Sequence, residues 1–195
     1  LDPAGKKGTS AINANLMNEG TALHTAVELE QSLRKLGASA RVSSSTEYTT
    51  INVSSLSKNL PAVMVIVNEM LTQPRFDEEA FNRAIMSHKS SIESAKTSIT
   101  TLGQRGALKL WFGDSPYSSF PTEKSINAIT MDDVKAYYKT LTPKNTSIDV
   151  AGNIDAEGVK KALAVLEGWS GEAVAVPEVT FGKRALAGTY FVNFP

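Results

Sequence analysis

Two pairs of side chains have the types and the spacing that a metal site or an acid–base site uses. His24 and Glu28 lie four residues apart, and His88 and Glu93 lie on another predicted helix. An imidazole and a carboxylate on one helical face can both reach a zinc ion, but catalytic zinc has three protein ligands. Neither pair has an evident third donor, so a solvated His–Glu pair is the favoured interpretation. His88 also lies on an apolar stripe, which favours a hydrogen-bonded, half-buried imidazole.

The composition excludes several classes of function. Twenty basic and twenty acidic residues cancel in the 195-residue chain, so there is no electrostatic footprint for nucleic acid or an anionic membrane surface. No run of 18 or more apolar residues is present, which argues against a membrane-spanning helix. The chain has no cysteine, and this excludes disulfides, thiolate metal ligands and cysteine nucleophiles.

Capping residues and periodicity predict the elements that position these side chains. Thr25 and Glu28 form a capping-box pattern at the start of a helix that ends at Gly37. The following stretch is rich in Ser, Thr, Val and Ile, and it alternates as a half-buried strand at 49–53. A turn near 45–46 makes this region a hairpin.

The rest of the chain is predicted to be mostly helical. Further helices are predicted at 60–71, after the N-cap Asp77, at 102–112, after the Thr130–Asp133 capping pattern, and after the N-cap Asp155. NTSIDVAG, residues 145–152, reads as a short buried strand, and TYFVNFP, residues 189–195, reads as another. Helices and strands are segregated, which predicts an α+β fold with helices packed on one face of a mainly antiparallel sheet.

Eight short segments follow one another in order between residue 2 and about residue 168. Each is weak alone, but their order and compatible spacing make a specific signal. Together they resemble the insulinase/pitrilysin family of zinc metallopeptidases, the inverzincins, which have a LuxS/processing-peptidase-like domain and a metal-binding helix that reads His-x-x-Glu-His. The segments are DPAGKKG, NEGT, LEQSLRKLGAS, STEYTT, LSKNLPAVMVIVNEMLTQPRFDEEAFNRA, WFGDSPY, SINAITMDDVKAYYKTLTPKN and VAGNIDAEGVKKAL.

The resemblance places the metal-binding helix in GTSAINANLMNEGT, residues 8–21, which contains no histidine. The two histidine positions fall on Ala11 and Asn15, and the position of the catalytic glutamate falls on Ala14. The distal glutamate ligand falls on Ser90 or Ser91. A methyl group cannot bind zinc, and amides and hydroxyls are poor substitutes for imidazole and carboxylate. All the zinc functions are therefore expected to be lost together, and no cofactor is expected in this chain.

Family members consist of paired domains that close around an unfolded peptide, and commonly one half carries the metal. The resemblance implies that this chain is a catalytically inactive half, part of the peptide-enclosing chamber and of the interface with a catalytic half. Zinc is then expected only in that catalytic partner half, and an extended peptide is the expected substrate. Two alternatives stay open: a purely structural interaction protein of the same fold, or a fragment of a parent chain whose other half is an active zinc endopeptidase.

Two further regions carry predictions about binding. GASARVSS corresponds to the strand that pairs with the extended peptide in catalytic halves, where an Asn-Ala pair is usual and this chain has Arg41 and Val42. Arg41 as a plain solvent-facing residue is the favoured alternative. Four aromatic residues could form a docking surface, although packing of a loop over the core is the favoured interpretation: Trp111, Phe112, Tyr117 and Phe120.

The predicted domain organisation has three parts. Residues 1–168 form the insulinase/pitrilysin-like domain, whose first strands are expected to precede this sequence. Residues 169–188 contain Gly, Ala and Pro without clear periodicity and are predicted to be a linker. Residues 189–195 are predicted to begin the next subdomain. The family resemblance implies a bacterial periplasm or cell envelope as the location.

Overall fold

The computed structural model describes residues 1–192, and this part of the chain contains eight α-helices and one two-stranded antiparallel sheet. The strands are β1 (Ser39–Ser44) and β2 (Thr49–Ser54). The helices are α1 (Thr9–Asn18), α2 (Ala26–Lys35), α3 (Leu60–Thr72), α4 (Glu78–Lys96), α5 (Ile99–Phe112), α6 (Glu123–Asn127), α7 (Met131–Tyr138) and α8 (Ala156–Leu163).

The helices begin where local side-chain chemistry predicts. The Glu28 carboxylate accepts a hydrogen bond from the Thr25 backbone N–H at 2.8 Å, and the Thr25 hydroxyl caps α2 in return. Thr130 and the Asp133 side chain form the same reciprocal cap on α7. Asp77 accepts a hydrogen bond from the backbone of the first turn of α4 at 2.9 Å. The predicted caps are confirmed because each needs only residues three apart in sequence.

The predicted hairpin is also confirmed. β1 and β2 pair in a register that sets Val42 opposite Ile51, and the Ser45 N–H donates to the Tyr48 carbonyl at 2.9 Å to close the turn. Val42 is buried and Ile51 packs against the same core cluster, whereas Arg41, on the opposite face of β1, is exposed. The helices therefore cover one face of the antiparallel sheet, and the predicted α+β class is confirmed.

Two predicted strands are absent from the described residues. Asn145 is the last residue of a 3₁₀ turn (Pro143–Asn145), and residues 146–152 are irregular, with Ile148 51% and Val150 43% exposed. Residues 189–192 are also irregular, and residues 193–195 lie outside the described part of the chain. A strand needs a neighbour for its backbone hydrogen bonds, and within residues 1–192 the only sheet is the β1–β2 hairpin. The prediction of a short buried strand at 145–152 was wrong, because this segment has no strand partner within residues 1–192 and its apolar side chains are exposed. The strand predicted at 189–195 lies partly outside the described residues and stays a prediction.

α1 lies between two hydrophobic clusters and contributes to both. The first cluster packs Ala14 and Met17 against α2, α3 and β1, and the second packs Ile12 and Leu16 against α4, α6 and α7. Seven of the ten residues of α1 are buried. A helix buried on opposite sides is a central element of the core, so α1 is the scaffold on which the rest of this domain is assembled.

The residues after the last helical turn cross the surface without regular structure. Asn145 binds this segment at Val174 through two hydrogen bonds, at 2.9 and 2.7 Å. Phe181 stacks on Tyr117 with ring centroids 5.7 Å apart. The boundaries 1–168, 169–188 and 189–195 stay predictions. None of the helices within residues 1–192 combines the length and the apolar character that crossing a membrane requires.

Candidate functional site

The amino end of α1 is fixed by a buried carboxylate. Asp2 accepts hydrogen bonds from the backbone N–H of Gly8 at 2.9 Å and of Ser10 at 2.7 Å, and its side chain is only 5% exposed. A negative charge at this place interacts favourably with the positive end of the helix dipole. Gly8 has φ of 112°, and a Cβ there would lie 2.6 Å from the Ile126 side chain, so glycine is required. These contacts set the position of every side chain on α1.

The three α1 positions that correspond to the zinc helix carry no strong metal ligand. Ala14 is 3% exposed and packs in the first cluster, while Ala11 and Asn15 are half-buried. The Asn15 Nδ2 atom lies 3.2 Å from Nε2 of His88 on α4. With the amide as donor, Nε2 accepts and the imidazole is neutral. The amide of Asn15 is therefore engaged with a side chain of the same protein.

His88 is the α4 side chain that contacts Asn15 on α1. Burial lowers the pKa of His88, because desolvation disfavours the charged imidazolium. Ser90 and Ser91, the residues predicted at the distal ligand position, are exposed, and the Ser91 hydroxyl donates to the Ser87 carbonyl at 3.0 Å. The sequence pattern placed His88 on a buried stripe but gave no sign that its partner is Asn15.

The two His–Glu pairs considered from the sequence do not form. His24 lies 2.8 Å from Glu69 on α3, while Glu28 serves the cap of α2. Glu93 pairs with Lys96 at 2.5 Å on its own helix and leaves His88 to Asn15. Across residues 1–192, no three His, Cys, Asp or Glu side chains are grouped closely enough to hold a metal ion.

These side chains do not fit a zinc site. Two methyl groups and one amide occupy the α1 positions, and the amide is hydrogen-bonded to an imidazole. Zinc needs imidazole, thiolate or carboxylate donors that converge on one point. That these positions correspond to the zinc-site positions of active family members stays a prediction for Ala11, Ala14, Asn15, Ser90 and Ser91. In the structure, the Asn15 amide contacts His88 and the Ser91 hydroxyl donates to the Ser87 carbonyl.

Beside this region, α4 and the start of α5 border an open groove of about 590 Å³. Its lining consists almost entirely of hydroxyl side chains, including Ser87, Ser90, Ser91, Ser94 and Ser98. Serine hydroxyls are uncharged and well hydrated, so the groove offers hydrogen bonds but no general base or metal ligand.

A side chain of α1 forms hydrogen bonds with the outer edge of β1. Asn18, the last residue of α1, accepts a hydrogen bond from the Val42 N–H and donates one to the Val42 carbonyl, both at 2.9 Å. The same amide nitrogen donates to the Ala14 carbonyl at 2.7 Å. Pairing of an extended peptide with Arg41 and Val42 stays a prediction. Sequence reasoning missed Asn18 because its partner lies 24 residues away.

The four aromatic residues divide into two groups. Phe112 packs on Tyr117 at 5.4 Å between ring centroids, and Phe120 lies under the Arg105 guanidinium at 4.9 Å. The Tyr117 hydroxyl donates to Glu47 at the hairpin turn. Trp111 differs, because it is 60% exposed on α5. Three of the four rings therefore contact other side chains of this protein, and Tyr117 joins the loop to the hairpin turn.

Comparison with protein families gives a match over residues 1–105 to the family described as Insulinase (Peptidase family M16). This match covers more than half of the 195 residues. The chain belongs to the M16 family. The resemblance identified from the ordered segments is therefore confirmed.

Relatives of this M16 chain include proteins described as inactive. This chain is 23% identical over 154 residues to "Non-peptidase homolog YmxG" of Helicobacter pylori. The aligned region covers 78% of this chain and 36% of that protein. The fold is similar to the peptidase M16 inactive domain from Pseudomonas fluorescens, with a TM-score of 0.80 and 20% identity over 93% of this chain and 45% of that one. A protease from Helicobacter pylori is similar at a TM-score of 0.71 and 18% identity, over 89% and 44% of the two chains. This chain spans less than half the length of these relatives.

Proposed function

We propose that this chain is a catalytically inactive half of an M16 zinc metallopeptidase, and that it forms part of the peptide-enclosing chamber and the interface with a catalytic half. The observation that carries the proposal is the chemistry of α1: Ala11, Ala14 and Asn15 stand where two imidazoles and a carboxylate would be needed. α1 nevertheless remains the central helix of the core. Selection for a fold without selection for metal binding accounts for both features.

Two relatives support the proposal through their descriptions. One is described as a non-peptidase homologue and the other as an inactive domain of peptidase M16. Because this chain spans less than half the length of such proteins, its partner half is proposed either as part of the same polypeptide or as a separate subunit. Zinc belongs, in this proposal, to the partner half.

A purely structural role is the second candidate. Exposed Trp111 on α5 favours it, because aromatic side chains are enriched at protein–protein interfaces. The two functions differ in whether a peptide is enclosed. A photo-crosslinkable unfolded peptide added to the assembled protein distinguishes them: the chamber role predicts crosslinks on this half, and the structural role predicts none.

The main experiment measures metal and activity on the purified chain and on its complex with the catalytic half. We expect zinc well below one equivalent and no peptidase activity for this chain alone, with both present in the complex. Stoichiometric zinc that survives gel filtration of this chain alone would refute the proposal. We also propose a location in the bacterial periplasm or cell envelope, on the basis of the family resemblance. Fractionation of the source cells tests it.

A further inference from the structure

Within residues 1–192, β2 is the only strand beside β1, and the other edge of β1 lies against Asn18 of α1. In an antiparallel ladder, the backbone groups of successive residues point alternately toward and away from the neighbouring strand. Asn18 binds both backbone groups of Val42. The backbone N–H and C=O of Val42 therefore point away from β2, and those of Arg41 and Ser43 point toward it. An outward N–H and C=O of this kind form the pairing position for an added extended peptide.

The Asn18 carboxamide has the same donor and acceptor as a peptide group, and it occupies that pairing position. Oδ1 accepts from the Val42 N–H, and one Nδ2 hydrogen goes to the Val42 carbonyl, both at 2.9 Å. The second Nδ2 hydrogen goes to the Ala14 carbonyl at 2.7 Å. Both amide hydrogens are therefore used, which aligns the carboxamide with the strand.

The side chain that closes the edge is also held rigidly. Asn18 is the last residue of α1. In the turn that precedes it, Ala14 and Met17 are 3% and 0% exposed. Val42 itself is 2% exposed. A peptide that is to pair with Val42 must displace Asn18 and leave its amide without partners, which costs free energy in a half-buried place.

We propose that Asn18 closes the outer edge of β1 by taking the place of an extended peptide at Val42, so that this half does not add a peptide strand until the carboxamide is displaced. The proposal rests on the proposed function only in supposing that unfolded peptides reach this edge. It assigns to the inactive half a specific difference in peptide handling, separate from the loss of zinc.

The first test is amide hydrogen exchange at Val42 in the full chain and in Asn18→Ala. We expect exchange at Val42 to be faster by about ten-fold or more in the variant. Arg41 and Ser43, whose N–H groups face β2, serve as internal references and should change little. Asn145→Ala is the matched control, because it removes a second asparagine–backbone pair, the one with Val174, elsewhere in the protein.

The second test measures fluorescence anisotropy of a short fluorescein-labelled peptide of alternating valine and threonine. We expect saturable binding to Asn18→Ala and at least about ten-fold weaker binding to the wild type and to Asn145→Ala. Unchanged exchange at Val42, equal peptide affinity of wild type and Asn18→Ala, or released exchange without any peptide binding would each overturn the proposal.

Asn18→Asp covers the case in which the alanine variant does not fold. The carboxylate can still accept from the Val42 N–H, but it cannot donate to the carbonyls of Val42 and Ala14. Exchange at Val42 should be faster in Asn18→Asp than in the wild type, and a value equal to the wild type contradicts the proposal. None of these outcomes depends on zinc or on a catalytic half, so the proposed function is judged separately by metal content and complex formation.

Discussion

Leu16 provides the sharpest test of the idea that α1 is kept as a scaffold. Its side chain is 0% exposed and lies in the second cluster with Ile12, Phe81 and Val134. Leu16→Ala removes three buried carbons, which cost about 2.4 kcal/mol in transfer free energy alone. The cavity raises the total loss of unfolding free energy to about 3–5 kcal/mol. For a protein of this size the melting temperature should fall by roughly 6–20 °C.

The assay is urea unfolding followed by circular dichroism, with thermal melting as a second readout. Asn15→Ala is the control on the same helix, one position away. Asn15 is half-buried and has one hydrogen bond, to His88, so its removal should cost about 1 kcal/mol or less. We expect the two variants to differ by at least about 2 kcal/mol, with unchanged denaturant slopes.

Two outcomes would refute the scaffold role of α1: a loss below about 1 kcal/mol for Leu16→Ala, or a loss for Asn15→Ala that equals that of Leu16→Ala. The first result would mean that α1 is not central to the core. The second would mean that the position corresponding to a metal ligand still has a demanding role.

Three further predictions concern metal, pH and capping. The triple variant Ala11→His, Ala14→Glu and Asn15→His should recover no peptidase activity with added zinc, because Ser90 and Ser91 supply no carboxylate at the distal ligand position; high activity contradicts the proposed correspondence. Burial lowers the pKa of His88, so the unfolded chain takes up a proton that the folded chain resists, and stability should decline as pH falls below about 6.5. His88→Gln should lose that part of the decline in urea titrations between neutral and acidic pH, and an identical decline contradicts it. Thr130→Ala should lower the unfolding free energy by about 0.5–2 kcal/mol, with exposed Thr100→Ala as a near-neutral control, and equal losses contradict the capping argument.

Local chemistry made much of the fold predictable. The capping boxes at Thr25 and Thr130 use partners three residues away, so the sequence contains the whole interaction. The stripe on α4 predicted that His88 faces the core, and it is half-buried there. Order and spacing of short segments then indicated the M16 family, which the match over residues 1–105 shows.

Interactions between distant residues were not predictable in this way. Asn18 and Val42 meet only because α1 lies beside the edge of β1, and neither residue type signals the other. Asn15 and His88 are 73 residues apart. Residues 145–152 read as a short buried strand in the sequence, but a strand exists only when a neighbour supplies hydrogen bonds, and the residue types carry no information about that neighbour.

α5 is the helix whose isolation has the widest consequence. None of its residues is buried, and Ile99 near its start is 69% exposed. With so little apolar contact, this helix should open locally at far lower free energy than α1, and proteases cut where the backbone opens. If the proposed partner half binds α5, it would shield this segment from digestion. The lifetime of α5 under mild trypsin treatment is then a simple gauge of whether the two halves have come together.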